Sequence, residues 1–243
     1  MTPVIHLISD LHLCETQPHL LDLFSHYMQH IAPKCQTLIV LGDLFEVWVG
    51  DDHHSDFNQQ VIAAFRDFVE HDKKLFIAHG NRDFLLGEQF MVASGAIFID
   101  EPYLCHWNNK SVCLLHGDAL CTDDLAYQQF RQMVRNQQWQ QNFLSQPLAN
   151  RLAYAADVRQ QSQQQQSEKS MQIMDVNAQA VNDLIQQTQC DWLIHGHTHR
   201  EGKHQLTINN RPCERIVLSD WGNNGHYLEF THNQLTSHFF HSD

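Results

Sequence analysis

The stretch Val4-Ile5-His6-Leu7-Ile8-Ser9-Asp10-Leu11-His12 passes from an apolar run into a D-x-H motif, and the same succession returns four more times along the chain. Thr37 to Leu41 leads into Gly42-Asp43, and Lys74 to His79 into Gly80-Asn81-Arg82-Asp83. Ser111 to Leu115 leads into His116-Gly117-Asp118, and Trp192 to His195 into Gly196-His197-Thr198-His199. Brief β-branched and aliphatic runs of this kind read as buried strands. Strand ends that deliver Asp, His and Asn to one rim of a sheet assemble a metal site that no single segment could build.

Helix-like segments separate most of these runs. Leu20, Leu21, Phe24, Tyr27, Met28 and Ile31 recur at helical spacing, as do Val61, Ile62, Phe65, Phe68 and Val69, which predicts an α/β layered fold with helices covering a sheet. After Asp191 the pattern turns to strands at Arg215 to Ser219, Tyr227 to Thr231 and Gln234 to Phe240, with a turn at Asn209-Asn210. The interval from about 122 to 189 is almost free of Gly and β-branched residues and reads as a helical insertion that Pro147 divides. Its Phe130, Met133, Val134, Trp139, Phe143, Leu144, Leu148, Leu152 and Tyr154 exceed what a connector requires. They either pack on the domain or form a surface for an acyl chain or membrane. Gln160 to Gln166 is a low-complexity patch that, on composition, reads as a solvated helix end or loop.

With 243 residues, 42% of them hydrophobic, the chain is expected to form one domain spanning 1–243 with the insertion as a cap. A formal net charge of −13 argues against general nucleic-acid binding, and an anionic substrate needs cations at the site. The seven cysteines include no C-x-x-C pair and read as reduced thiols of an intracellular protein. The N-terminus lacks a basic leader region, a cleaved signal would remove Asp10, and no apolar run approaches transmembrane length. The expectation is a chain that is soluble or lies on a membrane surface. Of the 19 histidines, most cannot be ligands; His232, His238 and His241 lie among strand-like residues without carboxylate partners and read as structural.

Asp10 and His12 are two apart and share a side of a strand or of its exit, and His197 and His199 repeat this spacing beyond Gly196. Asp43 is the natural carboxylate to be shared between two cations, Asn81 offers a carbonyl oxygen, and His116 a nitrogen. Seven mixed N and O donors without thiolate suit Mn²⁺, Fe²⁺ or Zn²⁺. Two such ions ~3.5–4 Å apart lower the pKa of bound water and clamp a phosphoryl oxygen for in-line attack, so the nucleophile is a water.

The ordered set D-x-H, G-D, G-N-R-D, H-G-D and G-H-T-H resembles the calcineurin-like metallophosphoesterase superfamily. The resemblance implies a two-sheet β-sandwich flanked by helices, with Asp10, His12, Asp43 and His199 on one metal and Asp43, Asn81, His116 and His197 on the other. Many members carry His after the Asn of the third motif, where it can protonate the leaving oxygen; here the position is Arg82. A guanidinium does not give up its proton near neutral pH, but it clamps phosphate oxygens. The site therefore suits a leaving group that needs no proton, such as a phosphate, and this tilts the reading toward a pyrophosphate bond. An ion pair of Arg82 with Asp83 is the bland alternative.

A closer resemblance is to the UDP-2,3-diacylglucosamine pyrophosphohydrolases of the bacterial lipid A pathway. It is carried by G-N-R-D, by D-L-F-E-V-W-V-G-D-D at Asp43 to Asp52, by the insertion, by I-M-D-V-N at Ile173 to Asn177 and by I-H-G-H-T-H-R at Ile194 to Arg200. It implies attack of water on the α-phosphorus with two Mn²⁺ ions, releasing UMP and 2,3-diacylglucosamine 1-phosphate at the cytoplasmic face of the inner membrane. Catalytic roles then fall on Asn81, Arg82 and His197. Substrate contacts fall on Asn81, Arg82, Asp124, Ser162, Gln166, Lys169 and His197, with Gln166 standing where the family has Asn. No obligate protein partner is evident. Asp51 and Asp52 are open between loop capping and orientation of ligands. Arg82 and the apolar insertion argue against a nucleotide phosphodiesterase or a protein phosphatase, the acidic balance argues against a nuclease, and seven competent ligand positions argue against a scaffold that has lost its metals.

Overall fold

The computed structural model describes residues 3–168 and 175–242, with the helical backbone alone at 163–168. In chain order the strands are β1 (Ile5–Ile8), β2 (Thr37–Leu41), β3 (Lys74–Ala78), β4 (Ile97–Phe98), β5 (Tyr103–Trp107), β6 (Lys110–Leu114), β7 (Trp192–His195), β8 (Gly202–Ile208), β9 (Arg211–Val217), β10 (Gly225–Thr231) and β11 (Gln234–Phe240). The α-helices are α1 (Pro18–His26), α2 (Asp56–Glu70), α3 (Glu88–Ser94), α4 (Leu125–Val134), α5 (Gln137–Leu144), α6 (Leu148–Glu168) and α7 (Ala178–Thr188).

The strands form one sheet of order β11-β10-β1-β2-β3-β4 and a second of order β5-β6-β7-β9-β8. Ile5, Leu7, Ile39 and Leu41 of the first sheet pack against Val112, Leu114, Trp192, Ile194 and Ile216 of the second, which makes the interior of the sandwich. Side chains alternate across a strand, so Ile8, Leu38, Val40 and Ile77 face the other way, onto Leu20, Leu23 and Phe24 of α1 and Val61, Phe65 and Phe68 of α2. Behind the second sheet, Cys113 and Leu193 meet Val181 and Ile185 of α7. The layers are helix, sheet, sheet, helix, as expected.

What positions the site is the parallel core of each sheet. β1, β2 and β3 run parallel, and so do β6, β7 and β9. Their carboxyl ends carry all five motifs to one rim, the usual place for a ligand site in parallel sheets.

Pro147 separates α5 from α6 as expected, and Asn209-Asn210 turns β8 into β9. Strands β4, β5 and β8 were not anticipated. β4 has two residues, and β5 and β8 are outer strands whose half-exposed residues mix His, Lys and Gln with apolar ones, blurring the alternation. Part of the insertion's apolar surface packs on the domain. Val134 and Phe143 are buried, and Trp139 stacks on Phe143 with centroids 4.9 Å apart and packs against the main core. Leu125, Met133, Leu144, Leu152 and Tyr154 remain 37–71% exposed. No helix among the described residues is long and apolar enough to cross a membrane.

Candidate metal centre

Asp10 and His12 lie beyond the end of β1, not on it, and both take left-handed backbone conformations with φ of 56° and 49°. So do Asp43 (51°), His197 (64°) and His199 (57°). Non-glycine residues seldom occupy this region, and its concentration on five of seven expected ligands is backbone strain held at a working site. Glycine makes the crowding possible. Gly42 has φ of 80°, and a Cβ there would come within 2.5 Å of the Gly80 backbone. A Cβ on Gly80 would in turn meet the Asp43 amide at 2.2 Å.

The two buried carboxylates each face two ways. Asp10 Oδ2 accepts hydrogen bonds from Ser9 Oγ (2.6 Å) and the His197 amide (2.9 Å), while its Oδ1 is buried without a hydrogen-bond partner. That free oxygen lies 3.4 Å from His199 Nε2 and 4.0 Å from His12 Nε2. Asp43 Oδ1 accepts from the Arg82 amide (2.8 Å), and Oδ2 stands between His12 Nε2 (3.9 Å) and His116 Nε2 (3.7 Å). Asn81 Oδ1 is 2.9 Å from His116 Nε2, and the His197 ring packs on His116 with centroids 5.0 Å apart. Donor atoms converge in two groups, Asp10–His12–His199 and Asp10–Asp43–His116. Asp10 is the carboxylate common to both groups, while Asp43 belongs to the second and its Oδ2 also lies 3.9 Å from His12 Nε2.

The electrostatics of the cluster favour positive charge at its centre. Burial opposes charge on His116, yet Asp43, Asp10, Asp118 and Glu101 push its pKa up to about 9. Burial opposes charge on His199 too, and its contacts with Asp10 and Asp220 push it up to about 10. Burial and the neighbouring His116 bring His197 down to about 4. Asp10, despite burial that favours its neutral form, is held well below the usual carboxylate range by His199, His116 and His12. The carboxylates of Asp10 and Asp43 thus favour positive charge in the space between these side chains. Together with the orphaned Asp10 oxygen and the hard N and O donors, this fits divalent cations.

Around the ligands lies a second tier that the motifs did not reveal. The outer nitrogen of His116 contacts Leu41 O at 2.9 Å, and that of His199 lies 3.4 Å from Asp220 Oδ2. The Nδ1 of His12 is 2.8 Å from Glu46 Oε2, outside hydrogen-bond alignment. Asp220 had a legible signal, since Ser219-Asp220 follows β9 just as Ser9-Asp10 follows β1. Asp118 accepts from Tyr127 Oη (2.6 Å) and Arg131 Nε (2.8 Å), and the Tyr127 ring stacks on His197.

The alternative of an Arg82–Asp83 ion pair is replaced by a different arrangement. Asp83 is buried and accepts from the amides of Gly80 (2.8 Å) and Leu44 (2.7 Å), which pins the two ligand loops together. Arg82 instead reaches toward Glu46, 3.9 Å away. Asp51 caps α3 through the Gly87 and Phe90 amides, and Asp52 pairs with Arg151 of α6, so neither orients a ligand directly.

A family model described as calcineurin-like phosphoesterase matches residues 3–201, a span that takes in every strand-end motif. The chain belongs to the calcineurin-like phosphoesterase family. This phosphoesterase is 43% identical to a UDP-2,3-diacylglucosamine hydrolase of Chromohalobacter salexigens, over 88% of the chain and 87% of the relative. It is 45% identical to the hydrolase of that name from Aromatoleum aromaticum, over 92% and 91%, and 44% identical to that of Haemophilus influenzae, over 90% and 91%. Among solved structures, an archaeal phosphodiesterase superposes with a TM-score of 0.50 at 13% identity, covering 98% of this chain and 99% of that one, which supports the fold. Membership implies divalent metal binding, and the residues are present for it.

Of the expected substrate contacts, Asn81, Arg82 and His197 lie at the centre. Asp124 caps α4 by accepting from the Tyr127 amide at 3.1 Å. Ser162 is half-buried on α6, Gln166 is on the same helix, and Lys169 lies outside the described residues. The patch from Gln160 to Gln166 is helix, not loop.

Proposed function

We propose that this chain hydrolyses the pyrophosphate bond of UDP-2,3-diacylglucosamine, giving UMP and 2,3-diacylglucosamine 1-phosphate. The observation that carries the reading is identity of 43–45% with hydrolases of that name over about nine tenths of both chains, together with a full set of metal-competent residues. Asp10, His12, Asp43 and His199 would hold one metal, and Asp43, Asn81, His116 and His197 the other. Two Mn²⁺ ions bound there supply Lewis acidity and a water acidic enough to attack at neutral pH.

The chain's own residues set the rest. Asp43 fixes the Arg82 backbone through Oδ1, so the guanidinium is launched from beside the ligands. It binds the phosphoryl oxygens and offsets charge that grows during attack on the α-phosphorus. Asn81 and His197 border the same phosphate. The leaving sugar phosphate departs as an anion, so no residue has to protonate it. Tyr127 and Asp118 keep the His197 ring from rotating.

The chain is one domain, 1–243, with 122–189 as the cap and α7 as its seam with the second sheet. Exposed Leu125, Met133, Leu144, Leu152 and Tyr154 suit a lipid acyl chain and a protein at the cytoplasmic face of the inner membrane. Asp124, Ser162, Gln166 and Lys169 are the cap's candidates for sugar and phosphate contacts. Chelator-stripped protein is expected to be inactive on UDP-2,3-diacylglucosamine and to regain turnover with Mn²⁺. Asp43→Ala and His116→Ala are expected to stay inactive while keeping their circular dichroism spectra. Unimpaired hydrolysis by the stripped protein or by these variants would refute the reading.

A further inference from the structure

Glu46 belongs to the D-L-F-E-V-W-V-G-D-D stretch, carries no role in the chemistry above, and is only 8% exposed. Three cationic or proton-accepting side chains converge on it from three parts of the fold. Its Oε2 lies 2.8 Å from His12 Nδ1; its Oε1 lies 3.2 Å from Arg159 Nε of α6 and 3.9 Å from an Arg82 nitrogen. The backbone fixes this placement independently of the side chains. His12 N donates to Asp43 O (3.0 Å), Leu13 N to Leu44 O (2.9 Å) and Glu46 N to Leu13 O (3.1 Å), a short parallel ladder beyond β1 and β2 that lays Glu46 alongside His12.

Each of the other imidazoles with Nε2 turned to the centre has its outer nitrogen beside an oxygen, Leu41 O for His116 and Asp220 for His199. For His12 that oxygen belongs to Glu46, 2.8 Å away and out of line for a hydrogen bond, so that the carboxylate acts on Nδ1 through its charge. A partner at Nδ1 selects the tautomer with its proton there, leaves the Nε2 lone pair for a cation, and raises its basicity. Two guanidiniums beside Oε1 provide the counter-charge that lets a largely buried carboxylate stay ionised.

We propose that Glu46 is a positioning residue of the metal centre, holding the His12 imidazole in metal-binding orientation while Arg82 and Arg159 balance its charge. This rests on the two-metal reading given above.

The test is calorimetric titration of the chelator-stripped full chain with MnCl₂. The unaltered protein is expected to take up two ions. In Glu46→Ala one binding step weakens by about 10–100-fold and the other stays near its original strength, because only one group contains His12. Glu46→Gln keeps the size and an oxygen acceptor without the charge, and falls between. A general folding defect would instead weaken both steps, so equal loss in both overturns the proposal. Should the alanine variant fail to fold, the glutamine variant carries the test, and Mn²⁺ binding by it within about twofold of the unaltered protein overturns the proposal as well. Failure of the unaltered protein to bind Mn²⁺ would refute the two-metal reading itself, a result distinct from normal two-ion binding that Glu46 substitutions leave unchanged.

Discussion

Arg82 is where one side chain narrows the chemistry most. A fixed positive charge carried on the loop that holds Asn81 can stabilise a phosphoryl transition state but cannot deliver a proton. Arg82→Ala is therefore expected to lower kcat by about 10²–10³-fold, the usual cost of removing one preorganised donor. Arg82→His is expected not to restore it, since the sugar phosphate needs no acid. Steady-state rates on UDP-2,3-diacylglucosamine check both, and full activity in the histidine variant would refute electrostatic clamping. The residues that converge on the candidate centre were legible because each follows a strand and carries donor chemistry. Glu46 and Tyr127 were not, because a residue that orients another needs no motif of its own, only proximity in the folded chain. The left-handed backbone at Asp10, His12, Asp43, His197 and His199 was equally hidden, since spacing alone suggested a regular strand face.

Between elements, the decisive contact is that of α6 with the loop after β2. Arg151 is 2% exposed; its NH1 donates to Val49 O (2.6 Å) and Asp52 Oδ1 (2.8 Å), and its Nε to Gln146 O (3.0 Å). Asp52 is largely in solvent, so its ion pair is screened and contributes little. The buried Val49 carbonyl matters more, and leaving it unpaired costs about 1–3 kcal/mol. Arg151→Met is expected to destabilise the protein by that amount in urea unfolding and to increase proteolytic cleavage within the cap before the sandwich is cut. Equal susceptibility of cap and sandwich would contradict an anchoring role. The helical character of 122–168 was plain from composition, and Pro147 marked the break. Which apolar residues face inward was not, because Trp139 and Phe143 bury against the main core while Leu144 of the same helix stays outside.

Across the whole molecule, buried histidines that serve packing set an acid limit. Burial brings His6 down to about 4 against the pull of Glu229, and His226 to about 4 against Glu201. The unfolded chain takes up a proton near pH 6.5 that the folded chain refuses. The contribution of these two groups is therefore complete above that pH and is lost as the pH falls toward 4, by up to about 3 kcal/mol for each. Urea midpoints between pH 7 and pH 4.5 should show the decline, and His226→Gln should flatten it; an unchanged slope would contradict the assignment. The α/β layering was readable from the alternation of apolar runs and helical stripes, whereas the two-sheet arrangement rested on family resemblance, because pairing of β1 with β10 joins residues more than two hundred positions apart. Both sheets turn the ends of their parallel strands to one rim, and in the proposed reaction that rim directs water to the α-phosphorus. Hydrolysis of UDP-2,3-diacylglucosamine in ¹⁸O-water, followed by mass spectrometry of both products, tests it most directly. Attack at the α-phosphorus puts ¹⁸O in UMP and none in 2,3-diacylglucosamine 1-phosphate; label in the lipid product would refute it.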